Sequence, residues 1–113
     1  MPAPQFLDDP AYKCLRSGDL EGYRRATQGR KTVDFTAADL RGVDFRKVEP
    51  GNLVLRDAYL RDADLRGCDL RKVDLAGASL ERAKISGAYF PPEIDAAEIR
   101  LSVEYGTRLR ARK

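Results

Sequence analysis

The chain has 113 residues, a formal net charge of +3 at pH 7 and no histidine. This length favours a single domain, and we predict one over residues 1–113. The absence of histidine removes the most common general base and the most common metal ligand in proteins. The modest net charge also gives little support to a protein that binds nucleic acid through bulk electrostatics.

The N-terminal segment, residues 1–32, is predicted to form a helical cap. Asp9 followed by Pro10 is typical of a helix start, with Asp as the N-cap and Pro in the first turn. Gly18 interrupts the apolar periodicity, and Asp19 can cap a second short helix. We therefore expect a helical hairpin or one bent helix within residues 9–29.

Residues 33–92 repeat every five residues without an insertion or deletion. A period of five matches neither the α-helix nor the alternating strand. The first and third residues of each pentad are apolar, the second is mostly Asp and the fourth is often Arg. The apolar third residues, Pro50 included, are Phe35, Leu40, Phe45, Pro50, Leu55, Leu60, Leu65, Leu70, Leu75, Leu80, Ile85 and Phe90. Three extended residues followed by a two-residue corner would close a square coil every four pentads.

Glycine supports the prediction of corners, because it tolerates the positive φ that tight turns often require. It occupies the fifth position of four pentads, as Gly42, Gly67, Gly77 and Gly87. Side chains 20 residues apart should therefore stack on one another.

These pentads resemble the pentapeptide-repeat family, whose motif is close to A(D/N)LXX. The resemblance implies a right-handed quadrilateral β-helix with the first and third side chains directed inward. We therefore predict an all-β solenoid of about three coils, with a helical N-terminal cap (1–32), twelve repeats (33–92) and a C-terminal cap helix with a basic tail (93–113).

Pro50 is the one pentad centre that departs from the repeat, and Gly51 follows it. Proline cannot donate a backbone hydrogen bond, so we expect a local distortion of the fourth wall at this point. A structural role is favoured here, and contact of Pro50 and Gly51 with a partner is the alternative.

The segment after the repeats is predicted to contain a helix from about Asp95 to Tyr105, ended by Gly106. Asp95 and Glu98 have the spacing of a capping box. The remaining residues form either an extended strand or a frayed tail, and the sequence leaves both open. The alternation of Arg108, Leu109 and Arg110 suggests that this stretch adds as an edge strand to a partner.

No set of residues suited to catalysis is apparent, and we predict that the protein is not an enzyme and needs no cofactor. Cys14 and Cys68 without histidine make a poor metal site, and we expect neither a metal nor a disulfide. Paired carboxylates such as Asp62 and Asp64 are interpreted as a solvated wall. No segment is long and apolar enough to cross a membrane, so a cytoplasmic location is expected.

Three functional hypotheses follow. The leading one is a small scaffold that acts through protein–protein contact with an unknown partner. The second is modulation of DNA gyrase by DNA mimicry, which the family resemblance implies, as in quinolone-resistance proteins. Mimicry is disfavoured because residues 33–92 contain ten acidic and ten basic side chains.

The third hypothesis is weak binding of nucleic acid or another anion through the terminal arginines, and it ranks below the other two. A homodimer formed through the C-terminal cap is an open alternative for the oligomeric state.

Overall fold

The computed structural model describes residues 3–112, which contain three short helices and one pair of two-residue strands. Met1, Pro2 and Lys113, part of the predicted terminal segments, lie outside the described residues. In chain order the elements are α1 (Pro10–Ser17), α2 (Leu20–Thr27), β1 (Val33–Asp34), β2 (Leu53–Val54) and α3 (Ala96–Tyr105). β1 and β2 pair in parallel, with Val33 opposite Leu53.

Backbone bridges join pentads that lie 20 residues apart. We call residues 33–52, 53–72 and 73–92 the first, second and third repeat blocks. Besides the β1–β2 pair, parallel bridges connect Asp39 to Tyr59, Asp44 to Asp64, Val54 to Asp74, Tyr59 to Ser79, Asp64 to Lys84 and Asp69 to Tyr89. Between the blocks, the Leu40 N–H donates to the Tyr59 carbonyl at 2.9 Å. This spacing is the one expected of a solenoid with four pentads per coil.

The third pentad residues form the core. Nine of them are no more than 1% exposed: Phe35, Leu40, Phe45, Leu55, Leu60, Leu65, Leu70, Leu75 and Leu80. Ile85 and Phe90, in the last two pentads, are only partly buried. The predicted inward direction of the third residue is therefore confirmed at these nine positions.

The fourth pentads of the three blocks, residues 48–52, 68–72 and 88–92, correspond to the predicted fourth wall, and their bridging is interrupted at Pro50. The bridge that the 20-residue spacing predicts between Glu49 and Asp69 is not formed, whereas Asp69 pairs normally with Tyr89. Pro50 lacks the N–H that its counterparts on the other walls donate to the next block. The interruption expected from the sequence is therefore present.

Most corners depend on a fifth pentad residue with positive φ. Glycine provides it at 72–78° in four pentads, as predicted. Four other residues, Ala37, Asp57, Asp62 and Arg82, adopt the same conformation with φ of 56–60°. The sequence gives no signal at Ala37 and Arg82, because a left-handed backbone costs such a residue about 1–2 kcal/mol. Aspartate, as at Asp57 and Asp62, visits this conformation more readily.

The predicted helical hairpin is present at the N-terminus. The Asp9 carboxylate accepts the Ala11 N–H at 2.9 Å, and Gly18 ends α1 with φ of 79°. The Asp19 carboxylate then accepts the Gly22 N–H at 2.9 Å and begins α2. Both predicted N-caps are confirmed.

The N-terminal segment packs on the first repeat block through side-chain and backbone contacts. The buried Tyr12 hydroxyl donates to the Asp39 carbonyl at 2.6 Å, and its ring meets Phe35 edge-on with 5.9 Å between centroids. Gln5 donates its N–H to the Ala37 carbonyl at 2.9 Å and accepts the Asp39 N–H at 2.8 Å. Gln5 therefore pairs with the block as a short added strand.

The helix predicted after the repeats is confirmed as α3, but the capping box is wrong. The Asp95 side chain makes no capping hydrogen bond and pairs with Arg112 at 3.0 Å. The Glu98 carboxylate accepts the backbone N–H of Arg110 at 3.0 Å and its guanidinium at 2.7 Å. Both carboxylates pair with arginines of the tail, because a charged donor binds a carboxylate more strongly than a neutral N–H does.

α3 and the tail contact the third repeat block. The buried Ser102 hydroxyl accepts the Leu80 N–H at 2.8 Å. The Leu109 N–H donates to the Ala78 carbonyl at 2.9 Å, and the Gly77 N–H donates to the Leu109 carbonyl at 2.7 Å. Of the two alternatives for this stretch, the extended one is observed.

Candidate interaction surface

Aspartate and arginine two residues apart form the same clamp in four pentads. One carboxylate oxygen accepts the arginine backbone N–H, and both oxygens accept guanidinium donors, with Nε–O distances of 2.8–3.0 Å and Nη2–O distances of 2.7–2.8 Å. The pairs are Asp39–Arg41, Asp44–Arg46, Asp64–Arg66 and Asp69–Arg71. The turn fixes the carboxylate, and the fork geometry of the bidentate pair fixes the arginine.

Further ion pairs connect one repeat block to the next. The N–O distances are 3.2 Å for Arg46–Asp64, 3.0 Å for Arg56–Asp74, 3.4 Å for Arg61–Glu81 and 3.2 Å for Arg82–Asp62. The outer walls therefore carry carboxylates that are closely compensated by arginines.

Two second-position aspartates are buried, so the expectation of a solvated wall is wrong for them. Asp39 is 1% exposed and Asp64 is 9% exposed. Asp39 is covered by the N-terminal hairpin, and Arg16 approaches it to 3.9 Å. Asp64 lies between the bridges to Asp44 and Lys84, so neighbouring pentads shield it on both sides.

The arginine clamps also change the acidity of their carboxyl groups. Hydrogen bonds from Arg66 hold the pKa of Asp64 well below its ordinary value, mainly because they stabilise the charged form. Hydrogen bonds from Arg71 lower the pKa of Asp69 to about 2. These carboxylates are ionised at neutral pH and hold the arginines in place. A catalytic acid would need a raised pKa, so their lowered pKa does not suit that role.

Pro50 and Gly51, the first pair of predicted contact residues, lie at a surface corner. Pro50 is half-buried and its carbonyl accepts the Leu53 N–H at 3.0 Å, whereas Gly51 is exposed. Leu53 itself is 2% exposed. Contact of this corner with a partner stays a prediction.

Of the second predicted contact set, Arg108 to Arg110, Leu109 is buried, Arg108 is half-buried and Arg110 is exposed. Leu109 is 1% exposed and uses both backbone groups within the chain. The Arg108 guanidinium lies 3.1 Å from the Asp57 carboxylate, and Arg110 clamps Glu98 from the exposed side. Addition of this stretch to a partner stays a prediction.

The described residues show little that is suited to chemistry. Within residues 3–112, no three His, Cys, Asp or Glu side chains gather as a metal site would require. Both cysteines are free, and burial raises the pKa of the Cys68 thiol, which disfavours the nucleophilic thiolate. Among the described helices, none has the length and apolar character needed to cross a membrane.

A groove between the α1–α2 hairpin and the first repeat block was missed by the sequence analysis. It consists of cavities of about 420, 100 and 240 Å³ that all share Leu20; we call it the hairpin groove. Its walls include Lys47 and Arg24, which form no ion pair within the described residues. The available signal for this groove was Lys47, which takes the fifth pentad position that Gly42 and Gly67 take in neighbouring pentads.

Comparison with known proteins identifies the repeats. Residues 54–90 match the family model for pentapeptide repeats, in eight copies. Residues 54–90 are therefore identified as pentapeptide repeats, and such repeats imply a β-helix solenoid. Comparisons with curated proteins and with solved structures gave no match.

Proposed function

We propose that the protein is a small non-enzymatic scaffold that acts through protein–protein contact. In this proposal residues 33–92 form three coils of a right-handed quadrilateral β-helix within a single domain. The hairpin of α1 and α2 closes one end, and α3 with the tail closes the other. Bridges at a spacing of 20 residues support the coil length, and the hydrogen bonds of Tyr12 and Ser102 support the two caps.

The single observation that carries this proposal is the repeated Asp–Arg clamp. It fixes charged side chains in a regular array on a backbone that is itself bridged block to block. Side chains that are ordered before binding lose less conformational entropy when a partner covers them. Such a surface suits recognition of a partner with complementary charges, and it provides no activated nucleophile or acid–base pair.

The two other hypotheses gain less support. DNA mimicry requires uncompensated rows of negative charge, whereas the carboxylates of the clamps are bonded to arginines. We expect no effect on gyrase supercoiling with or without a quinolone. In the tail, Arg110 and Arg112 pair with Glu98 and Asp95, which reduces the charge available to a nucleic acid.

We also propose that a second copy of the chain binds at the C-terminal end. Tyr105 is 70% exposed and Leu101 is 39% exposed on α3, and Ile85 and Phe90 of the last block are only partly buried. Light scattering coupled to size exclusion should show a dimer that Tyr105→Ser weakens. A monomer at all concentrations tested would contradict this part of the proposal.

The scaffold proposal is tested by affinity capture from a native lysate with one charge-reversal variant for each wall. Suitable exposed positions are Arg56, Arg61, Lys84 and Lys72, each changed to Glu. We expect a protein that the wild type retains and that one of the four variants loses at least tenfold, with unchanged circular dichroism. Equal retention by all four variants, or no retention above an unrelated protein, would count against a wall-based scaffold.

A further inference from the structure

The first repeat block has a strand edge that faces the hairpin groove. On the third wall, the backbone N–H of Asp64 in the second block donates to the Val43 carbonyl at 2.9 Å. The backbone carbonyl of Asp64 accepts the Phe45 N–H, also at 2.9 Å. The opposite edge of the same pentad consists of the Gly42 carbonyl and the Asp44 N–H. Neither group forms a hydrogen bond with another residue of the described chain. An open edge of this kind is a template for pairing with another strand.

The chain itself shows how such an edge is filled. Five residues earlier, the corresponding groups are the Ala37 carbonyl and the Asp39 N–H, and both are bonded to Gln5. The pairing is parallel and involves a single bridge between Gln5 and Ala38. Because each pentad repeats the same geometry, an extended segment can meet Gly42 and Asp44 in the way that Gln5 meets the preceding pentad.

The space next to this edge is already open. The largest cavity of the hairpin groove, about 420 Å³, is lined by Gly42, Val43 and Asp44 on one side and by Leu15 and Leu20 on the other. Its volume is in the range of pockets that hold small ligands or a few peptide residues. Leu15 and Val43 are buried and provide an apolar floor.

The charges at the groove favour an acidic occupant. Lys47 and Arg24 form no ion pair with the rest of residues 3–112, and Glu49 is the one lining carboxylate in the same state. The other lining carboxylate, Asp44, is neutralised by Arg46. Unpaired positive charge is therefore in excess in the part of the groove beyond the Gly42–Asp44 strand edge.

We propose that the hairpin groove binds an extended peptide of a partner protein by parallel strand addition to Gly42–Asp44. The peptide carries an apolar residue over Leu20 and Val43 and an acidic residue beside Lys47. This inference rests on the proposed scaffold function, because it names one binding site and the chemistry of the partner segment.

The probe is a phage-displayed library of random nine-residue peptides selected on the full-length protein. We expect enriched peptides to combine apolar and acidic residues. The strongest one, made synthetically, should shift the Asp44 amide resonance and slow its hydrogen exchange at least tenfold. A copy that is N-methylated at the paired residue should lose binding at least tenfold, since strand addition needs its N–H.

Two lysine variants provide the matched control. Lys47→Glu should weaken the synthetic peptide at least fivefold, whereas Lys72→Glu, an exposed corner lysine outside the groove, should change affinity less than twofold. No enriched peptide, an unperturbed Asp44 amide, full binding by the N-methylated copy or equal effects of the two variants would each overturn the inference. Loss of the groove result with retained wall-dependent capture would overturn the inference and leave the scaffold function intact.

Discussion

At the residue scale, the second and fourth pentad positions satisfy each other because the turn between them brings both together. Asp64 accepts the Arg66 backbone N–H at 3.2 Å, which orients its carboxylate for the guanidinium of the same residue. On a straight strand, two residues two positions apart also point to the same face, but they do not have this hydrogen-bonded geometry. The clamp therefore depends on both the corner and the residue pair, and it forms in the four pentads that carry Asp at the second position and Arg at the fourth.

A comparison of two glycines tests the role of positive φ at the corners. Gly67 has φ of 72° and a Cβ there would meet nothing within 4 Å, so Gly67→Ala introduces backbone strain alone. We expect a loss of about 1 kcal/mol in the free energy of unfolding, measured with urea. Gly51 lies in equally open space without a positive φ, and Gly51→Ala should be neutral or stabilise by up to about 1 kcal/mol. Similar losses in both variants would show that the corner strain is not the cause.

Corner conformation also shows how far the sequence could predict the residues. The glycine corners were predictable because glycine at a regular fifth position indicates positive φ. Ala37 and Arg82 adopt the same φ without any signal in their side chains. Stacking of one block on the next imposes the backbone path there, and that restraint is not visible in a single pentad.

At the scale of the elements, each terminal segment is fixed to the repeats by a few buried polar contacts. α1 relies on the Tyr12 hydroxyl, and α3 relies on the Ser102 hydroxyl, which is 0% exposed. A buried backbone group that loses its only partner costs more than the hydrogen bond is worth on average. These contacts should therefore control how firmly the ends of the repeat array are covered.

Ser102→Ala tests the contact of α3. The substitution leaves the buried Leu80 N–H without an acceptor, and we expect a loss of about 1–3 kcal/mol in the free energy of unfolding. Ser86→Ala, at an exposed position of the third wall, should stay within about 0.5 kcal/mol. Denaturation followed by circular dichroism measures both. Equal stabilities of the two variants would mean that α3 is not anchored through this hydroxyl.

Tyr12→Phe tests the contact of α1. The ring keeps its packing against Phe35, but the Asp39 carbonyl loses a donor at 2.6 Å. We expect a loss of about 1 kcal/mol and faster amide exchange in α1. Tyr105→Phe, which removes a hydroxyl from a side chain that is 70% exposed, should change neither quantity. An unchanged exchange rate in α1 for Tyr12→Phe would refute the anchoring role.

The helices were predictable from local caps, whereas their tertiary partners were not. Asp9, Asp19 and Gly106 act within one turn of their own helix, so the nearby sequence contains the necessary information. Glu98 was assigned to the cap of α3, but it binds Arg110, twelve residues away. The hairpin groove was missed for the same reason, because it depends on how the hairpin sits against the first block.

At the scale of the whole molecule, the clamps link stability to pH. The pKa values of Asp39, Asp64 and Asp69 lie below their ordinary value of 3.8, chiefly because of arginine hydrogen bonds, and that of Asp69 is about 2. On unfolding these values return toward 3.8, so the unfolded chain takes up protons first as the pH falls. The clamps therefore stabilise the fold fully above about pH 4–5. This contribution is lost as the pH falls through the pKa values of the folded state.

We expect a melting temperature that is nearly constant between about pH 5 and 8, where the chain has no histidine to titrate, and that falls between about pH 4 and 2.

Asp64→Asn should lower the melting temperature at neutral pH and differ much less from the wild type near pH 2, where the clamp of the wild type is itself weakened. Asp62→Asn removes an exposed ion pair and should have a small effect at neutral pH. Thermal denaturation at constant ionic strength measures all three proteins. A deficit of Asp64→Asn that is the same at both pH values would assign the role of Asp64 to packing, because only an ionised carboxylate makes its contribution depend on protons.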